Sequence, residues 1–104
     1  MPQIGYIVTG SEEESKKIAR KLVQERLVAC ANIIGEIDSY YWWEGKINQD
    51  KENALIVKTT EKKVEKTKKT IKEIHNYENP AILFFDIKNT TKKYREWIEK
   101  EVQE

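Results

Sequence analysis

The feature that most constrains this chain is a run of four aromatic residues, Tyr40-Tyr41-Trp42-Trp43, followed at once by the turn sequence Glu44-Gly45-Lys46. The flanking residues 31–43 and 46–60 are typical of two strands. A strand of about thirteen residues is on the order of 40 Å long, whereas a compact domain of about 100 residues has a radius of gyration near 13 Å. The predicted hairpin is therefore as long as the whole domain. Its aromatic tip calls for a partner, most simply another copy of the chain.

The alternation of side chains along a strand places aromatics on both faces of this hairpin. Tyr41 and Trp43 lie on one face, and Tyr40 and Trp42 lie on the other. The returning strand is polar over residues 48–53 and apolar over residues 54–57. This change predicts that the base of the hairpin belongs to the core and that the tip is an arm. We interpret the tryptophan pair as interface packing rather than as a ligand cage, since aromatic residues are enriched in buried interfaces.

The rest of the sequence predicts alternating strands and helices. Residues 4–9 form an apolar run typical of a first strand, and Ser11 with Glu14 forms a capping box for a following helix. That helix has an apolar face at 3.6-residue spacing, and Arg26 near its end suits the negative end of the helix dipole. The predicted inward residues of the first helix are Ile18, Ala19, Leu22, Val23 and Leu27.

The second strand is expected from residue 28 to residue 43, and Gly35 predicts a β-bulge within it. A second helix is expected over residues 61–74, a loop over 76–80 and a fourth strand over 81–87. A last helix follows Asn89-Thr90-Thr91, and its predicted apolar face carries Tyr94, Trp97, Ile98 and Val102.

The order βαββαβ plus a C-terminal helix predicts an α+β fold. Two βαβ-like halves joined in this way give the ferredoxin-like split βαβ arrangement, with an antiparallel sheet and two helices on one face. We expect residues 1–104 to form a single domain. The second sheet face is left to the last helix and the long hairpin, and an open apolar face is a reason to oligomerise.

The charge composition argues against several classes of partner. Charged residues make up 36% of the chain, yet Lys+Arg is 19 and Asp+Glu is 18. A general nucleic-acid or membrane binder would carry a basic surplus, so we expect neither partner. Balanced high charge is typical of the ion-pair-rich surface of a thermostable protein, with an ordinary solvated surface as the alternative.

Other sequence features bear on location. The single cysteine, Cys30, fits a reducing, cytoplasmic setting. We find neither a leader-like N-terminus nor a stretch of about 20 apolar residues.

Four linked motifs resemble the CutA divalent-cation-tolerance family. Residues 27–34 (LVACANII) resemble its "L-x-A-C-x-N-I" run, and residues 39–47 (SYYWWEGKI) resemble its "Y-x-W-x-G-K-I" hairpin. Lys58-Thr59-Thr60 matches the end of the third strand, and His75-Asn76-Tyr77-Glu78-Asn79-Pro80 is similar to the "H-P-Y-E-x-P" loop. The resemblance spans essentially the whole chain.

The resemblance implies a ferredoxin-like fold, a homotrimer similar in plan to the PII signalling proteins, a cytoplasmic location, and a link to copper and other divalent metals. One departure is Asn76, where the family has proline; proline would hold His75 in extended geometry. The copper-site positions described for family members correspond here to Ile7, Ile74 and His75, of which only His75 retains a ligand side chain.

The candidate metal ligands are His75, with Cys30 and Glu78 in support, since copper and zinc prefer imidazole and thiolate. No clustered spacing such as C-x-x-C is present. Cys30 is favoured as a small core residue over a ligand. For His75, both a structural or helix-capping role and a ligand or acid–base role stay open. Further oxygen donors are Asp50, Glu52 and Asp86.

The resemblance implies a protein that responds to or binds copper and other divalent metal ions, and the residues themselves do not indicate an enzyme. No nucleophile–base pair, G-x-S-x-G elbow or phosphate-binding glycine loop is present. The alternative is a PII-like small-molecule sensor with ligand clefts between subunits. An RNA-binding role shares the fold but lacks the aromatic-basic signature. A divalent cation is the one cofactor expected, and folding does not require it. The residues expected at the subunit interface or cleft are Tyr40, Tyr41, Trp42, Trp43, Glu44, Lys58, Tyr77 and Trp97.

Overall fold

The computed structural model describes residues 1–102. In chain order the elements are β1 (Pro2–Thr9), α1 (Glu12–Gln24), β2 (Cys30–Trp43), β3 (Lys46–Thr60), a 3₁₀ turn (Glu61–Lys63), α2 (Val64–Ile74), β4 (Ile82–Asp86) and α3 (Lys92–Glu101).

The four strands form one antiparallel sheet in the order β2-β3-β1-β4. The strands that begin the two βαβ halves, β1 and β3, are therefore neighbours in the middle of the sheet. This is the split βαβ topology, and the predicted α+β ferredoxin-like fold is confirmed.

The main core lies between the sheet and the two helices α1 and α2. Alternate residues of the central strands face this layer, and the apolar stripes of both helices pack onto them. The fully buried members of this cluster are Ile7, Ile18, Leu22, Leu27, Val28, Leu55, Val57 and Ile71.

The end of α1 differs from its prediction. The helix ends at Gln24, and Arg26 takes a positive φ of 55° beyond it. Leu27 is buried as expected, but it reaches the core from this reversed segment rather than from the helix. Val23 was expected to face inward and is 42% exposed. Val23 directly follows the buried Leu22 in the helix, and consecutive helical residues lie about 100° apart around the axis, so its side chain points away from the core.

The opposite sheet face is covered in part by α3. Thr91 caps this helix, since its side chain accepts a hydrogen bond from the Tyr94 N–H, and Ile98 and Val102 are buried against the sheet. The Arg26 guanidinium bonds both the carbonyl and the carboxylate of Glu101 at 3.0 Å. Other apolar residues on this face stay open, among them Leu83 at 45% and Phe85 at 53% exposure.

Strands β2 and β3 extend beyond the sheet as a two-stranded hairpin. The last β1 residue, Thr9, pairs with Asn53, which pairs in turn with Glu36, so residues 37–52 extend past the end of β1; we call them the arm. Glu44 and Gly45 both have positive φ, 50° and 76°, as a type I′ turn requires. The principal extents of 45 × 26 × 21 Å reflect the predicted long hairpin. Among the described residues, no helix is long and apolar enough to cross a membrane.

Candidate functional site

Four segments meet where the arm leaves the domain: the end of β1, the first turn of α1, the loop after α2, and β3. Ser11 caps α1 by accepting a hydrogen bond from the Glu14 N–H. The Glu14 carboxylate reaches back to the Gly10 N–H at 2.8 Å. In the predicted capping box it would bond the cap residue itself, so the contact is displaced by one residue.

The second oxygen of Glu14 links α1 to the loop that follows α2. It accepts a hydrogen bond from the Asn76 N–H at 2.6 Å and lies 3.5 Å from Nδ1 of His75. The Glu14 side chain is only 4% exposed. A buried carboxylate needs such charge-assisted bonds, because desolvation is costly without them.

His75 is fixed by the backbone on both sides of its ring. Nε2 lies 2.7 Å from the carbonyl oxygen of Val8, and Nδ1 accepts the Tyr77 N–H at 3.0 Å. The side chain has no exposed surface, and its ring lies 4.9 Å from that of Tyr77, centroid to centroid. The imidazole therefore joins β1 to the loop.

Tyr77 connects this loop to the arm. Its hydroxyl donates to Glu52 at 2.7 Å, and burial followed by this hydrogen bond raises the pKa of the Tyr77 phenol. A Cβ added at Gly10 would lie 3.3 Å from the Tyr77 hydroxyl oxygen, so glycine leaves room for the ring. On the neighbouring strand, Tyr41 donates to Asp50, which raises the pKa of Tyr41.

The aromatic tip of the arm is open to solvent in a single copy. Tyr40, Trp42 and Trp43 are 68%, 72% and 58% exposed, and Tyr41 is 39% exposed. Trp42 pairs across the hairpin with Ile47, itself 66% exposed. The aromatics occupy alternate faces, so covering one face leaves the other in water. Glu44 lies in the turn.

A second group of predicted residues lies on the sheet face that carries α3. Lys58 donates to the Asn32 side chain, and Cys30 is cross-strand from Lys58. The Cys30 sulfur lies 3.8 Å from the Tyr94 hydroxyl, while burial and the Cys30 contact raise the pKa of Tyr94. The Trp97 ring packs 5.5 Å from that of Tyr94, centroid to centroid.

Contrary to the interpretation from the sequence, Cys30 lies outside the core. It is half-buried, and it lies on the sheet face opposite the main core cluster. The reason is strand parity: Ala31 pairs with the buried Val57, so its neighbour Cys30 faces the other way.

The candidate metal ligands are not brought together within one copy. His75 lies at the base of the arm, Cys30 lies beside α3, and Glu78 is exposed in the loop. Across residues 1–102, no group of three or more His, Cys, Asp or Glu side chains is placed to hold a metal ion.

Sequence reasoning missed the role of Glu14 in this site. It identified Glu14 as a helix cap and His75 and Tyr77 as loop residues, but not the link between them. The Glu14–Asn76 bond joins residues 62 positions apart, and nothing in local spacing reveals such a contact.

Comparison with known proteins gives a family match along nearly the whole chain. The profile of the CutA1 divalent ion tolerance protein family matches residues 3–101. The divalent-cation tolerance protein CutA of Pyrococcus horikoshii is 42% identical over 100 residues, covering 96% of this chain and 97% of that protein. The chloroplastic CutA 1 protein of rice is 36% identical, and the match covers 95% of this chain but 56% of the rice protein.

Solved structures show the same architecture. The CutA of Archaeoglobus fulgidus, described as a periplasmic divalent cation tolerance protein, superposes with a TM-score of 0.96 at 38% identity, covering 99% of this chain and all of that one. The Thermus thermophilus protein superposes with a TM-score of 0.95 at 37% identity, covering 97% and 98% of the two chains.

Proposed function

We propose that this chain, which belongs to the CutA1 family of divalent ion tolerance proteins, acts in the response to divalent cations, copper among them, as a homotrimer without catalytic activity. The names of its relatives support the cation part of this proposal. We also propose a cytoplasmic location, which the single cysteine favours.

The main support for the proposed trimer is the apolar surface that a single copy leaves exposed. The arm exposes Trp42, Trp43 and Ile47, and the second sheet face exposes Leu83 and Phe85 at β4. Soluble monomers rarely expose contiguous apolar patches larger than a few hundred Å². A neighbouring copy would cover the arm, and a closed ring of three would cover every arm equally.

A resident divalent-cation site does not fit the residues of one copy. The described residues contain no cluster of three suitable side chains, and both ring nitrogens of His75 already hydrogen-bond the backbone. We therefore propose that cation binding, where it occurs, uses groups contributed by more than one copy.

Growth under copper stress tests the proposed function. The chain is expressed in a copper-sensitive bacterial strain that lacks its own CutA protein, beside the empty vector. We expect growth at higher copper concentrations with the chain than with the vector. Equal growth of the two strains at every concentration would contradict a role in tolerance.

Calorimetry with copper distinguishes direct from indirect action. A stoichiometry of one ion per three copies would support a site shared across the trimer. Absence of heat above buffer would remove direct binding and leave an indirect response. A thermal-shift screen of nucleotides and metabolites tests the small-molecule-sensor alternative, which the family match does not favour.

A further inference from the structure

The hydrogen bonds of His75 determine which of its nitrogens carries the proton. A carbonyl oxygen only accepts and a backbone N–H only donates. Nε2 faces the carbonyl of Val8 at 2.7 Å, so it carries the proton. Nδ1 faces the N–H of Tyr77 at 3.0 Å, so it is bare and its lone pair is engaged.

Glu14, in the first turn of α1, holds the same loop through its carboxylate. Its two oxygens hold the Gly10 N–H at 2.8 Å and the Asn76 N–H at 2.6 Å. The two side chains thus join β1, the first turn of α1 and the loop at residues 75–77. Both are almost fully buried, with exposures of 0% for His75 and 4% for Glu14. We call His75 and Glu14 the latch.

The latch lies where a small change of angle has a large effect. Glu52 is the first β3 residue beyond the end of β1, and the Tyr77 hydroxyl holds it at 2.7 Å. From Glu52 to the turn the arm has seven residues, Lys46 to Glu52, which reach about 23 Å. A change of about 10° at the base therefore moves the aromatic tip by about 4 Å.

We propose that the latch positions Tyr77 against Glu52 and so fixes the direction of the arm, and that His75 is a positioning residue rather than a cation ligand. A divalent ion binds imidazole through a bare nitrogen. At His75 that nitrogen is Nδ1, so an ion would have to displace the Tyr77 N–H.

The single histidine makes the ring directly observable. In a long-range ¹H–¹⁵N spectrum of the labelled full chain at pH 8, we expect the pattern of a neutral ring protonated at Nε2. Added zinc chloride, a diamagnetic divalent probe, is expected to leave both ring nitrogens unshifted. Protonation at Nδ1, or a zinc-dependent shift of a ring nitrogen, would overturn the proposal without any variant being made.

Variants test the positioning role. In His75→Ala we expect the Tyr77 amide to exchange about 100-fold faster relative to core amides such as Leu55, because its acceptor is gone. Amides 46–52 of the arm should gain mobility in the same variant. His75→Gln, whose side-chain amide keeps an N–H donor and an acceptor oxygen, should recover most of the protection.

Asn79→Ala is the matched control, since it changes an exposed residue of the same loop outside the latch. It should leave both readouts unchanged. A His75→Ala protein that loses stability uniformly, with the ratio of Tyr77 to Leu55 exchange unaltered, would show a structural role only and contradict positioning.

Discussion

At the scale of single residues, the phenol of Tyr77 gives the site a dependence on alkaline pH. Burial and the bond to Glu52 raise the pKa of Tyr77 above its ordinary value near 10. A group with a raised pKa in the folded state binds its proton more tightly there, so its contribution is complete below pH 10. That contribution is lost as pH rises from about 10 through the folded-state pKa.

We therefore predict that the free energy of unfolding falls less steeply above about pH 10 in Tyr77→Phe than in the wild type. Denaturant titrations from pH 8 to 11 at one protein concentration measure this. Tyr6→Phe is the control, since Tyr6 has no hydrogen-bonded carboxylate among the described residues. Parallel pH profiles for wild type and Tyr77→Phe would contradict the prediction.

For single residues, the sequence predicted which residues belong to the site better than it predicted how they contact one another. His75 and Tyr77 were identified from their loop, whereas the partner Glu14 was not, because tertiary contacts are invisible to local spacing. Cys30 and Val23 were wrongly assigned to the core for a related reason. Hydrophobic character indicates burial on average, but strand parity and the position around the helix axis decide it for each residue.

At the scale of elements, Gly35 shapes the long hairpin. The β2–β3 register shifts between Ile33 and Gly35, which confirms the predicted bulge. Gly35 has φ of 114°, a region that L-residues rarely adopt. A Cβ there would meet nothing within 4 Å, so the need for glycine is conformational rather than steric.

Replacing Gly35 by alanine should lower the free energy of unfolding by about 1–3 kcal/mol, measured by denaturant titration. Gly45→Asn is the matched control. Its φ of 76° in the type I′ turn is close to the left-handed region that asparagine tolerates, so a smaller loss is expected. Equal losses in the two variants would show that the bulge has no special requirement for glycine.

The elements themselves were largely predictable because the hydrophobic periodicity and the capping and turn residues indicate the same boundaries. Ser11, Gly35 and the Glu44-Gly45 turn each mark a boundary or bulge found in the structure. The misplaced boundaries lie where hydrogen bonding changes type. Residues 61–63 form a 3₁₀ turn rather than the start of α2, and the left-handed Arg26 ends the α1 segment before Leu27.

At the scale of the whole molecule, the topology follows from the element order, but the number of copies does not. The order βαββαβ with right-handed crossovers leaves little choice of sheet. In contrast, the apolar surface left open on the arm and beside β4 favours a covering partner but does not give the number of copies. The angle at which copies would meet depends on the direction of the arm. The proposed latch fixes that direction and would therefore also influence the assembly.

The decisive test at this scale removes the two tryptophans together. Trp42 and Trp43 lie on opposite faces of the arm, so Trp42→Ala with Trp43→Ala removes large aromatics from both surfaces that a neighbour would cover. We expect sedimentation equilibrium to show a trimer for the wild type and monomers for the double variant, since aromatic side chains at an interface centre carry much of the binding energy.

Val23→Ala is the matched control for this experiment, because Val23 is also apolar and 42% exposed but lies on α1, away from the arm. It should sediment as the wild type does. Because the tryptophans are already exposed in one copy, their loss should leave the far-ultraviolet circular dichroism of each protomer close to that of the wild type. A double variant that still sediments as an intact trimer of unchanged stability would show that the arm is not the assembly device, and that the apolar face beside β4 holds the copies together instead.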